Sequence, residues 1–426
     1  MTLLIFIGAL IGAIALGIPI AYSLLLAGVA LMWHLDLFEA QILAQNVMEG
    51  ANSFPLLAVP FFMLAGEIMN AGGLSKRIVN LALTLVGHVR GGLGFVTILA
   101  AVMLASLSGS AVADTAALAA LLLPMMVKAG HNKERSGGLI AAGGIIAPII
   151  PPSIPFVIFG VAANVSIGRL FMAGIVPGIL MGVAIAATWW LLTRNEGVAT
   201  PPKASWGERW KALKESTWAL MLPMIVLVGL KMGVFTPTEA AVVAAVYALF
   251  VATVVYREMR LSQLYEVFVS AAKTTGIIMF LVAAAAVSAW LITVANLPGQ
   301  LIELLQPVLD NPTLLLLMIM LLIFVIGMVM DITPTILILA PVLMPVVKAA
   351  GIDPIYFGVL FVMMGAIGLI TPPVGTVLNV VAGVGRMKIH HVARGVWPFL
   401  LAQLLVVLLL VLFPQIVIAP YRWFYS

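Results

Sequence analysis

The sequence predicts an all-α integral membrane protein built as two inverted repeats, each of about five transmembrane helices plus one re-entrant helical hairpin. Three observations carry that expectation. The 426 residues are 63% hydrophobic and 9% charged, with a mean hydropathy of +1.21. Apolar runs near the ~20 residues that a bilayer-spanning helix needs follow one another from end to end. Finally, residues 106–181 and 327–402 carry one pattern twice, at a constant offset of 221 residues. Pro124 matches Pro345, Gly130 matches Gly351, Gly137 matches Gly358 and Gly144 matches Gly365. Pro151-Pro152 then matches Pro372-Pro373, Gly174 matches Gly395 and Pro177 matches Pro398. These residues shape backbone, so apolar composition alone does not account for their register.

In chain order, membrane helices are expected near 2–18, 19–34, 53–72, 136–165, 170–193, 217–234, 237–256, 274–295, 354–385 and 396–418. Whether 2–34 is one helix kinked at Pro19 or two stays open at this point. Residues 91–127 and 313–348 read as hairpins that enter and leave on one side. Five crossings per repeat is an odd number, so the second copy lies upside down. The first repeat then occupies 1–200 with its broken helix at 136–165. An interfacial linker helix occupies 201–216, and the second repeat runs over 217–426 with its broken helix at 354–385. Residues 35–51, 75–89, 203–215 and 258–272 mix charged and apolar residues at helical spacing and read as amphipathic helices in the interface.

Loop charge agrees with that topology. Of the 21 Lys and Arg residues, 17 fall on one side, and only Arg169, Lys231, Lys348 and Arg422 fall on the other. The positive-inside bias makes the first side cytoplasmic. The same distribution explains the net charge of +5 without a nucleic-acid partner. The N-terminal run lacks a basic leader and a small-residue cleavage site, so it reads as membrane helix, not signal peptide. Cysteine is absent, which excludes disulfides and thiolate metal sites. No zincin, serine-hydrolase elbow or phosphate-binding loop motif occurs, so no enzymatic activity and no ATP hydrolysis is expected of this chain.

Two landmarks in each copy carry chemistry. The hairpin tip reads S-L-S-G-S at 106–110 before Asp114, and G-M-V-M-D-I-T-P at 327–334 before Thr335. At the offset, Ser110 faces Asp331 and Asp114 faces Thr335, so each copy supplies one hydroxyl and one carboxylate at i, i+4. The second landmark is a doublet-proline break, P-I-I-P-P-S-I-P at 148–155 and L-I-T-P-P-V-G-T at 369–376. Proline removes a donor and interrupts the helix, and the carbonyls it frees must find a partner inside a bilayer. Carbonyls, hydroxyls and a carboxylate can replace the hydration shell of a monovalent cation. Half-helix N-termini at the same level suit a carboxylate substrate. The pattern is that of a transporter with one sodium site per repeat, two or more sodium ions in all, and substrate between them. No other cofactor is implied.

Intramembrane Asp114 and Asp331 are expected in the cation sites, since an unpartnered carboxylate at mid-membrane costs about 3 kcal/mol. Ser153, Asn164, Thr376 and Asn379 follow the breaks and are candidate substrate contacts. Glu239 reads as a helix-capping acid. Glu67, Lys273 and Arg169 read as charges near the interfaces. The five histidines show no metal spacing.

The strings G-G-L-S-K-R at 72–77, G-H-V-R-G-G-L at 87–93, S-G-S-A-V-A-D at 108–114, P-I-I-P-P-S-I-P at 148–155, G-I-V-P-G at 174–178, M-D-I-T-P at 330–334 and G-L-I-T-P-P-V-G at 368–375 together resemble one family. It is the large membrane subunit of the tripartite ATP-independent periplasmic (TRAP) transporters, and the resemblance covers essentially the whole chain. It implies an elevator-type, sodium-coupled importer of small organic acids in the bacterial inner membrane. It also implies two partners, a small four-helix membrane subunit and a periplasmic substrate-binding protein; the former has no counterpart within this chain and is expected as a separate protein. By resemblance, one cation site falls on Ser106, Ser108, Gly109 and Ser110 with Gly144 and Pro148, beside the Asp114 read above. The other falls on Gly327, Asp331 and Thr335 with Gly365 and Thr371. Sialic acid is the first expectation for the solute and a C4-dicarboxylate the second. A self-sufficient sodium/carboxylate symporter is the alternative. An elevator needs a fixed frame, and the interfacial helices with the outer spans are expected to brace it while 91–165 and 313–385 move.

Overall fold

Twenty α-helices, one 3-10 turn at Phe54–Leu57 and one π turn at Val251–Val255 make up the ordered elements, with no strand among the described residues. The structure is a computed structural model that describes residues 2–198 and 200–425. Among the described residues, eight helical segments are long and apolar enough to cross a membrane, including Ile167–Thr193, Trp206–Lys231, Ser262–Val294 and Ile389–Leu412. The chain is thus a multi-pass, all-helical membrane protein.

The two copies take matching local structure. Gly92–Ser108 and Ala111–Lys128 form the first hairpin, and Pro312–Gly327 and Ile332–Ala349 form the second. Ser110 and Asp331, paired by the offset, are the N-caps of the two returning helices. The doublet prolines interrupt both broken helices, giving Lys133–Gly144 and Ile154–Ala162 in one copy and Pro354–Gly368 and Thr376–Val384 in the other. Both doublets are joined by cis peptide bonds. Pro124 and Pro345, like Pro177 and Pro398, lie inside matching helices.

Packing sorts these helices into two groups. The hairpins, the broken helices, Ile167–Thr193 and Ile389–Leu412 pack on one another. At the heart of this body the two broken helices cross, with Phe159 against Phe361 at 5.4 Å and Phe357 at 6.2 Å between ring centres. A second group, the frame, is made of Ile20–His34, Ala40–Ala51, Ala58–Ala71, Leu74–Val86, Trp206–Lys231, Pro237–Phe250 and Leu261–Val294, and it meets the body chiefly through Leu74–Val86 on Gly92–Ser108. The body therefore extends past the expected 91–165 and 313–385, because Ile167–Thr193 and Ile389–Leu412 pack on the broken helices more than on the frame.

Several expected boundaries shift. Residues 2–34 form two helices, Thr2–Ala15 and Ile20–His34, the second capped by Pro19. The separate linker helix at 201–216 is replaced by the first turns of Trp206–Lys231. Ser205 and Glu208 build a capping box there, and nothing stops the helix before the membrane. Likewise 258–272 merges with the following span into Leu261–Val294, 34 residues long, since no Gly or Pro pair divides them. The last span ends at Leu412, ahead of Pro414, and Gln415–Tyr425 forms its own short helix. An amphipathic helix at Leu297–Leu309, absent from the sequence reading, follows Asn296 in the left-handed conformation (φ 49°).

Candidate functional site

Where body meets frame there is a cavity of about 790 Å³. Its body side is built from helix beginnings. The first-turn residues Ala111–Ala113 of the first hairpin, Ile154 and Pro155 after the first break, and Ile332–Pro334 of the second hairpin all line it. Three helix N-termini, with their unpaired N–H groups and positive dipole ends, thus border one space. Its frame side comes from Ile20–His34, Ala58–Ala71 and Leu261–Val294, which contribute Tyr22, Glu67, Asn70 and Thr274 among apolar neighbours.

Several residues singled out from the sequence lie at this cavity. Ser108, Gly109, Ser110, Pro148 and Asp331 all line the cavity. Gly109 sits at φ 62°, and a Cβ there would fall 2.5 Å from the Pro152 carbonyl oxygen. Glycine lets the hairpin tip press directly on the first break. Behind the tip, the Ser108 hydroxyl donates to Asp114 Oδ1 at 2.5 Å and accepts from the Ser110 N–H at 3.1 Å. Asp114 Oδ2 and the Thr115 hydroxyl are both buried without a hydrogen-bond partner among the described residues. Gly144 closes this spot, since a Cβ there would lie 1.7 Å from Thr115 Oγ1. Asp114 Oδ2 and Thr115 Oγ1 are each a buried oxygen without a partner among the described residues, of the kind a hard cation takes. Ser108, Asp114 and Thr115 are thus the oxygen donors that the first copy gathers near its hairpin tip.

The second copy is arranged differently. Asp331 accepts from the Thr333 N–H at 3.3 Å, the Thr335 hydroxyl donates to the Asp331 carbonyl at 2.7 Å, and the Thr371 hydroxyl donates to the Ile367 carbonyl at 2.9 Å. Gly327 and Gly368 bring two helix backbones together, a Cβ on Gly368 falling 2.5 Å from the Gly327 carbonyl carbon. Gly365 faces the Ile332 side chain. At the breaks, carbonyls of the break and of the adjoining hairpin tip are already satisfied. Ser153 donates to the Pro148 carbonyl, and the Val374 N–H donates to the Met328 carbonyl at 3.2 Å.

Other candidates lie outside the cavity. Ser106 donates to the Met103 carbonyl at 2.7 Å, and Ser153 is fully buried as the cap of Ile154–Ala162. Asn164 is exposed in a turn at φ 51°. Thr376 begins the helix after the second break, and the exposed Asn379 donates back to the Val374 carbonyl at 2.9 Å. Glu239 caps its helix through Thr236. Sequence reasoning did not reach Thr115, Asn70 or Thr333, and it put Glu67 near an interface although it borders the cavity. Only the i, i+1 neighbourhood of Asp114 hinted at Thr115.

The model of the family "Tripartite ATP-independent periplasmic transporter, DctM component" matches residues 7–416. The chain is 58% identical over 423 residues to the 2,3-diketo-L-gulonate TRAP transporter large permease protein of Escherichia coli (strain K12), covering 99% of this chain and 100% of that one. It is 40% identical to the sialic acid TRAP transporter large permease protein of Vibrio cholerae serotype O1, covering 95% of each. The solved YdaH transporter of Alcanivorax borkumensis shares the fold with a TM-score of 0.61 at 17% identity, over 87% of this chain and 86% of that one. Motif register, the paired hairpins and broken helices, and the match along nearly the whole chain lead to one assignment: this protein belongs to the DctM-component family of the TRAP transporters.

Proposed function

We propose that this chain is the large permease subunit of a sodium-coupled TRAP transporter in the bacterial inner membrane. It imports a small organic acid handed over by a periplasmic binding protein and works with a separate small membrane subunit. The observation that carries the reading is the cavity itself. Three helix N-termini supply positive potential for a carboxylate, with no Lys, Arg or His among the described lining residues. Asp114, Ser108 and Thr115 would hold a sodium ion directly behind one of those N-termini, adding the positive charge that an anionic solute in a low-dielectric space requires. The second hairpin, with Asp331 at its tip, is the proposed place of a further cation.

The identity to the diketogulonate permease favours a sugar-derived keto acid over the sialic acid and C4-dicarboxylate expected from the motifs. The division into frame and body supports an elevator motion in which the body, tips included, moves against the frame helices. Uptake by the purified permease and its small subunit in proteoliposomes tests the whole reading. Accumulation of 2,3-diketo-L-gulonate is expected with sodium outside and the cognate binding protein present. Equal uptake in potassium or choline would remove sodium coupling, and equal uptake without binding protein would favour the self-sufficient symporter.

A further inference from the structure

The charges around the cavity are distributed in an unexpected way for an organic-acid carrier. Among its described lining residues the only charged ones are Glu67 and Asp331, both acidic. Asp331 belongs to the body, beside a helix N-terminus that offsets it. Glu67 stands on the frame, within Ala58–Ala71, and forms no ion pair within 4 Å among the described residues. Its Oε1 accepts one hydrogen bond, from Ser270 Oγ at 3.3 Å. One turn on, Asn70 shares its helix face, and its Oδ1 accepts from Ser75 Oγ at 2.7 Å. In that orientation the amide N–H groups are the end left for a ligand. The frame wall thus presents an anionic acceptor and a neutral donor three residues apart, while the opposite wall presents positive helix ends.

We infer that Glu67 and Asn70 form a hydroxyl-reading pair that receives the polyol end of a hydroxylated monocarboxylate and rejects the second carboxylate of a dicarboxylate. A hydroxyl can donate to Glu67 in a charge-assisted bond and accept from the Asn70 amide. A carboxylate in that place can do neither for Glu67 and meets like charge at short range. A site built around such polar groups discriminates strongly, because the wrong ligand leaves them unpaired. Substrate then lies with its carboxylate toward the hairpin tips and its hydroxyls toward the frame. The inference rests on the organic-acid reading above and adds which residues tell a hydroxylated monocarboxylate from a dicarboxylate.

Equilibrium binding to the purified permease with its small subunit, in sodium and without binding protein, tests the pair apart from the binding protein's own selectivity. Radiolabelled 2,3-diketo-L-gulonate is competed with the same unlabelled acid and with succinate. In the wild type, succinate should compete poorly. Glu67→Gln, isosteric and uncharged, should narrow the gap between the two competitors about tenfold. Asn70→Asp, at a position open to the cavity, should widen it. A competition ratio unmoved by both variants, or a wild type that prefers succinate, overturns the inference and leaves the transporter reading standing. No saturable binding of either acid by the wild type overturns the organic-acid reading and the inference with it.

Discussion

Asp114 is buried to 3% exposure with one oxygen bonded to Ser108 and the other bonded to nothing among the described residues. Leaving a buried charged acceptor unsatisfied costs about 1–3 kcal/mol or more, so the free oxygen is the natural place for a cation. Asp114→Asn should therefore raise the sodium concentration for half-maximal uptake about tenfold or more, read from sodium titrations of proteoliposome uptake. Gly144→Ala should have a related effect through space alone, since the new methyl overlaps Thr115. Reduced sodium response with an intact oligomer on size exclusion is the expected result. His131, in the loop between Lys128 and Lys133, makes a separate case. Burial holds its imidazole below the ordinary value against the opposing pull of Glu196, whose Oε2 lies 3.5 Å away. With a depressed folded-state value, the unfolded chain binds the proton more readily. Stability is then present above about pH 6.5 and falls on acidification, and His131→Gln should flatten the melting temperature between about pH 7.5 and 5.5.

At the scale of elements, the Pro and Gly landmarks were legible because they dictate backbone irrespective of neighbours. The 221-residue register located both hairpin tips and both breaks, while the capping by Ser110 and Asp331 came only with the structure. What stayed hidden depends on helices meeting in space. Thr115 acquires meaning from Gly144, 29 positions on, and Glu67 and Asn70 from tips that arrive from the far end of the chain. The merging of 203–215 and 258–272 into their spans was also missed, because amphipathic character marks a face and not a helix end. The Ser205–Glu208 box is the actual start signal for Trp206–Lys231. Ser205→Ala should loosen that start by about 1 kcal/mol, visible as faster amide exchange over 206–210 with the rest of the helix unchanged.

For the whole molecule, the proposal turns on body and frame moving relative to each other. A cysteine-free chain permits a direct check. A Cβ on Gly66 of the frame would sit 3.4 Å from Ser108 Cβ at the first hairpin tip. That separation suits a disulfide. The double variant Gly66→Cys, Ser108→Cys should lose most uptake on oxidation and return to its reduced level with dithiothreitol. Unchanged uptake in the oxidised form would argue against relative motion at this contact. The 34-residue Leu261–Val294 helix borders the cavity and packs on the second hairpin. It measures about 51 Å against a hydrocarbon layer of about 30 Å. If the proposed motion runs along this rail, the sliding partner would keep an apolar counter-surface over a stroke of several ångströms, and the length of this one rod would set how far cargo could travel before oil meets water.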